Sequence, residues 1–165
     1  MDHKFNSSFG ISLSVDQVID EVVRFMRDDA QSTYKIIIGT DSALLRNNEA
    51  DFVMAVVIHR IGKGGRYFWR RIKLDKFFTL RDRIIREVLL SLDLAKLVLE
   101  KLVNVEKNEA NTLPRWSFEI HADVGENGST KVIIQEVVGM IRAHNFEARI
   151  KPESYAASSV ADKHV

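Results

Sequence analysis

Apolar positions along this chain change period several times, and each change marks an element. Val15, Val18, Ile19, Val22 and Met26 recur at helical spacing behind Leu13-Ser14-Val15-Asp16-Gln17. Ser14 is a natural N-cap, Gln17 three residues on completes a capping box, and Leu13 with Val18 supplies a hydrophobic staple. A nearly unbroken apolar run then predicts a buried strand over 35–41, ending on Thr40-Asp41-Ser42. Arg46-Asn47-Asn48-Glu49 turns the chain, and Phe52 to Ile58 predict a second strand within 51–61. Gly62-Lys63-Gly64-Gly65 is a hairpin signal leading to a third strand over 66–74. Such short connections make an antiparallel meander.

The longest helical pattern runs from Thr79, its N-cap, to about Val103. After a polar loop ending at Pro114, a fourth strand over 116–123 closes on His121-Ala122-Asp123. Ser129 or Thr130 caps a helix carrying Ile133, Ile134, Val137, Val138 and Ile141, and Asn145 stops it. A fifth strand covers 146–151, Pro152 breaks it, and Ser154 opens a last short helix. This order predicts an α/β fold: a five-stranded mixed sheet, three strands of it the meander, flanked by helices on both faces. Residues 1–30 read as a helical appendage to a domain of residues 31–165. Ligands of such sheets sit beyond the carboxyl ends of parallel strands. If the first and fourth strands are parallel neighbours, Asp41 and Asp123 meet there.

Composition narrows the class. With 165 residues, 45% of them hydrophobic, one domain with a real core fits and a second does not. The chain has no cysteine, which excludes disulfides and thiolate metal sites and points to a reducing, cytoplasmic setting. No apolar stretch approaches the roughly 18 residues needed to span a bilayer, so no membrane is expected. The net charge of +1 hides ten Lys or Arg against two acids between Arg60 and Arg86, leaving the other residues net acidic. Such segregation suggests a polyanion-facing surface. Within that stretch Lys63, Arg66, Arg70 and Arg71 interleave with Tyr67, Phe68 and Trp69, a composition that contacts phosphates and stacks bases of nucleic acid. Alternating arginines are also an ordinary solvated strand face.

Four acids are candidates for chemistry. Asp41 and Asp123 each end an apolar strand, where either a hydrogen-bonded turn, the ordinary reading, or a metal ion accounts for them. Glu87 interrupts a helical face made of Leu80, Ile84, Leu90, Leu94, Ala95 and Val98, with Arg83 the alternative partner to a cation. Asp162 lies on a terminal segment of small residues, as a ligand or as a solvated tail. Oxygen-only ligands select Mg²⁺ or Mn²⁺, and several carboxylates at one crevice can hold two such ions for hydrolysis of a phosphodiester. His121, two residues before Asp123, could orient a ligand or shuttle a proton, or be structural.

Element order and acid placement together resemble the ribonuclease H-like superfamily. More narrowly, Ile38-Gly39-Thr40-Asp41-Ser42, His59 to Gly65, His121 to Gly128 and Lys151-Pro152-Glu153-Ser154-Tyr155-Ala156-Ala157-Ser158 resemble the bacterial YkuK-like family of that superfamily. The resemblance implies a Mg²⁺- or Mn²⁺-dependent nuclease with Asp41, Glu87 and Asp123 as metal-binding acids and Asp162 as a looser match to the fourth. A non-catalytic nucleic-acid-binding module that keeps the fold is the alternative.

Overall fold

The computed structural model describes residues 4–108 and 113–154. Its elements are β1 (Lys4–Ser7), β2 (Ser12–Ser14), α1 (Val15–Arg27), β3 (Tyr34–Leu44), β4 (Ala50–Arg60), β5 (Gly65–Leu74), α2 (Leu80–Asn108), β6 (Trp116–His121), α3 (Ile134–Ala143) and β7 (Glu147–Arg149). The strands form one sheet in the order β2-β1-β5-β4-β3-β6-β7. The β3-β4-β5 meander is antiparallel, and β6 and β7 add parallel strands beside β3. The α/β class and mixed sheet are as expected. The strand count is not: seven strands replace five, because Lys4–Ser7 and Ser12–Ser14 form a hairpin that joins the edge of β5 at Trp69 and Phe68. Those two strands are four and three residues long, too short for alternation to reveal.

Ser14 caps α1 as the local chemistry requires, its hydroxyl accepting from Gln17 N while Gln17 Oε1 accepts from Ser14 N. The apolar face of α1 packs into the same core as Ile84, Val88, Leu92, Ala95 and Val98 of α2 and Val137 and Ile141 of α3. Ile36, Ile38, Met54, Val56, Phe68 and Ile120 meet them from the sheet. All three described helices therefore cover one face, not both as expected, and that face is built by alternate residues of each strand. On the other face Ile37, Ala55 and Val57 make a smaller cluster with Tyr67. The last helix, expected after Ser154 and carrying Asp162, lies outside the described residues.

Two boundaries moved for identifiable reasons. β3 runs past Asp41 to Leu44, because β4 keeps pairing with it as far as Leu44↔Ala50. Thr130 does not cap α3 through its side chain: its hydroxyl accepts instead from Gly125 N at 3.1 Å, and a 3-10 turn over Lys131–Ile133 leads into the helix. Asn145 does stop α3, in the left-handed region at φ 64°.

Candidate active site

β6 pairs with β3 in parallel up to Gly39↔His121 and no further. Asp41 and Asp123 each lie two residues beyond that pair, so continuation of the register carries both acids out of the carboxyl end of the β3-β6 ladder. β4 still supports β3 at this point, with Asp41 opposite Val53. Between the strand ends and α2 lies a closed, tightly packed pocket lined by Thr40, Glu87, Ser91, His121 and Asp123 among apolar neighbours.

Glu87 comes into that pocket from the first turns of α2, whose start is capped by Thr79 Oγ1 accepting from Asp82 N at 3.0 Å. The residue is 4% exposed. Ser42 Oγ donates to Glu87 Oε1 at 2.5 Å, Arg83 Nη1 donates to Ser42 Oγ and Ser42 O at 3.2 Å each, and one turn along α2 Ser91 shares a 2.8 Å hydroxyl contact with Thr40. Arg83, the alternative partner to a cation for Glu87, thus reaches it through Ser42. Burial pushes the Glu87 carboxyl well above its usual range, the negative charges of Asp41 and Asp123 push the same way, and the Ser42 hydrogen bond and Arg83 oppose them. Glu87 therefore feels two acids far from it in sequence, Asp41 and Asp123.

Each acid has local support. Asp41 Oδ1 accepts from Ser42 N at 2.9 Å. Lys151 Nζ stands 2.9 Å from Asp123 Oδ1, an ion pair whose angles miss those of a hydrogen bond. Among the described residues no three His, Asp or Glu side chains are gathered closely enough to hold a metal ion as they stand. The donor set itself fits a hard divalent cation: it is all oxygen, and it concentrates negative charge that Arg83 and Lys151 offset only in part. Asp162 lies outside the described residues.

His121 faces a second polar cluster. Its Nε2 lies 2.8 Å from Glu119 Oε2, and Glu119 also pairs with Lys35 Nζ at 3.1 Å and Arg149 Nε at 3.6 Å. Burial alone would raise the Glu119 carboxyl, but its hydrogen bonds from His121 and Lys35 outweigh that and hold it below the usual range. Burial lowers the His121 imidazole more than Glu119 can raise it. A carboxylate only accepts, so Nε2–H of a neutral His121 is the donor. Glu119, Lys35, Arg149 and Lys151 come to these clusters only through the fold. Only the polar Glu119 and His121 at alternate positions of an apolar strand hinted at the cluster.

The basic stretch divides between the two ends of the sheet. Lys63 Nζ donates to Asp29 Oδ2 and Ser32 Oγ, and Arg66 stacks over Phe25 and pairs loosely with Glu21. Arg60, over the same Phe25 ring, donates to Tyr34 and to Phe25 O. These groups sit at the Tyr34↔Arg60 end of the β3-β4 ladder, away from the acids. Arg71 is different: it pairs with Val53, which pairs with Asp41, so Arg71 and Asp41 share a face two strands apart, roughly 10 Å. Tyr67, Trp69 and Lys73 project from that same face of β5 by alternation, whereas Arg70 projects from the helix-covered face.

A mixed sheet with acids at the end of adjacent parallel strands and on the first core helix is the architecture of the ribonuclease H-like proteins. The chain belongs to that family, whose model, described as Ribonuclease H-like, matches residues 17–165. Within it the chain is a YkuK-like member: it is 33% identical over 159 residues to "Uncharacterized protein YkuK" of Bacillus subtilis (strain 168), covering 92% of this chain and 90% of that one. No solved structure gives a significant match. No helix among the described residues is long and apolar enough to cross a membrane.

Proposed function

We propose that this protein is a divalent-metal-dependent nuclease that hydrolyses phosphodiester bonds in RNA, an RNA–DNA hybrid or structured DNA. The observation that carries the reading is the placement of buried Glu87 at the carboxyl end of the β3-β6 ladder, where Asp123 lines the same pocket and Asp41 adds negative charge. Asp41, Glu87 and Asp123 would hold Mg²⁺ or Mn²⁺, with Asp162 a fourth candidate. A bound cation would supply a water of lowered pKa and charge stabilisation at the leaving oxygen. The chain's own residues do the rest. Ser42 and Arg83 orient Glu87, and Tyr67, Trp69, Arg71 and Lys73 offer a strand of nucleic acid stacking faces and phosphate contacts on the side of Asp41. His121, bound to Glu119, would steady the strand that delivers Asp123. The absence of cysteine suits work in the cytoplasm.

The test is cleavage of labelled RNA, hybrid and branched DNA with Mg²⁺ or Mn²⁺, by wild type and by Asp41→Asn and Asp123→Asn. Turnover confined to wild type supports the proposal; turnover that survives both substitutions removes it. The second reading, a nucleic-acid-binding module without turnover, draws on Ser42 and Lys151, which already partner two of the acids. Salt-sensitive binding with no cleavage of any substrate would select it.

A further inference from the structure

Lys151 reaches the acids by a route the main chain builds. Parallel pairing of β6 with β7 continues beyond both strands, with Ala122 N donating to Arg149 O and Lys151 N donating to Val124 O, each at 2.9 Å. This places Lys151 beside the loop that follows Asp123. Its stem then crosses Gly125: a Cβ there would stand 3.0 Å from Lys151 Cβ and 3.4 Å from its Cδ. Any side chain at 125 would push the stem aside. Two runs of the sequence, 121–128 and 151–154, are thereby joined at the Asp123–Lys151 ion pair. The pair is lopsided: the Lys151 side chain is 56% exposed and that of Asp123 23%, with Asp123 Oδ1 itself buried. Next to it an open groove is lined by Gly125, Glu126, Asn127, Ile150, Pro152 and Glu153.

A compact ammonium on a flexible stem, touching Asp123 beside two further acids, stands in for positive charge. We propose that Lys151 is the internal counter-ion of Asp123, displaced when a divalent cation takes that carboxylate, and that the released ammonium then binds a phosphate of the nucleic-acid strand beside the groove. The exchange makes and breaks no covalent bond. The proposal rests on the metal-dependent reading of the site, and it assigns Lys151 a positioning role.

Calorimetric titration of Mn²⁺ into the full-length wild type and Lys151→Met tests the first half. Removing the competing ammonium should tighten Mn²⁺ binding by roughly three- to tenfold, the range for a half-exposed pair. Unchanged or weaker Mn²⁺ affinity in Lys151→Met, with wild type binding, overturns the counter-ion role and leaves the metal site standing. If neither protein takes up Mn²⁺, the metal-dependent reading fails and this proposal with it. Anisotropy of a labelled RNA oligonucleotide tests the second half: with Ca²⁺ wild type should bind severalfold tighter than Lys151→Met, and in EDTA the two should bind alike. Equal affinities with Ca²⁺ would overturn the phosphate contact.

Discussion

Ser42 Oγ donates to Glu87 Oε1 at 2.5 Å, tying the end of β3 to α2 across 45 residues of sequence. The same hydroxyl accepts from Arg83, so one serine relays a positive charge to a buried acid. Ser42→Ala removes both bonds and should cost about 1–2 kcal/mol in urea unfolding. Ser42→Thr, which keeps the hydroxyl, should recover most of it.

Glu87 makes stability fall as pH rises. Its folded carboxyl titrates above its unfolded value, chiefly through burial, so the native state keeps a proton that the unfolded chain has released. Its contribution is complete below the unfolded value, about 4.3, and is lost as pH climbs through the folded one. Glu87→Gln, which carries no charge, should raise the urea midpoint at pH 8 and flatten this part of the profile. An unchanged profile would show that Glu87 is ionised in the native protein.

Glu119 acts in the opposite direction. Its folded carboxyl titrates low because His121 and Lys35 outweigh burial, so the stability it contributes is present above the unfolded value and disappears as pH falls through the folded one. Neutral His121, lowered by burial, adds to the loss in acid. Glu119→Gln should cost about 2–3 kcal/mol at pH 7, the low end for breaking a buried charge cluster, because Lys35 and Arg149 are partly solvated. Unfolding of the variant at pH 7 and pH 4 checks both magnitude and sign.

Position along the strand separates the basic residues. Arg71→Ala and Lys73→Ala should each weaken binding of a labelled nucleic acid and lower the salt slope by about one. Lys63→Ala, whose ammonium is held by Asp29 and Ser32 at the far end, should leave the slope unaltered. Equal effects from Lys63 and Arg71 would place the binding surface elsewhere.

Strong local periodicity made the main elements readable. The run of Ile36, Ile37 and Ile38, the long apolar face of α2, and the glycines at 62, 64 and 65 mark strand, helix and hairpin without reference to anything distant. Glu87 was conspicuous as one acid on an apolar helical face. β1 and β2 were not readable, because a hairpin with strands of four and three residues owes its existence to a free edge on β5. Thr130 misled for a related reason: its hydroxyl serves Gly125, brought near by the loop.

Residue order and side-chain character alone determined an α/β chain with a meander, a long core helix, and acids at the ends of two apolar strands, since each of these depends on spacing within one segment. Tertiary structure alone decided which charges meet. Register carried Asp41 and Asp123 to the same end of the sheet, the bared backbone of Gly125 let Lys151 reach across, and the strand ends separated Arg71 from Lys63. Pairings of that kind are contacts between distant segments, and their energies arise only once packing has excluded water and brought the charges within a few ångströms.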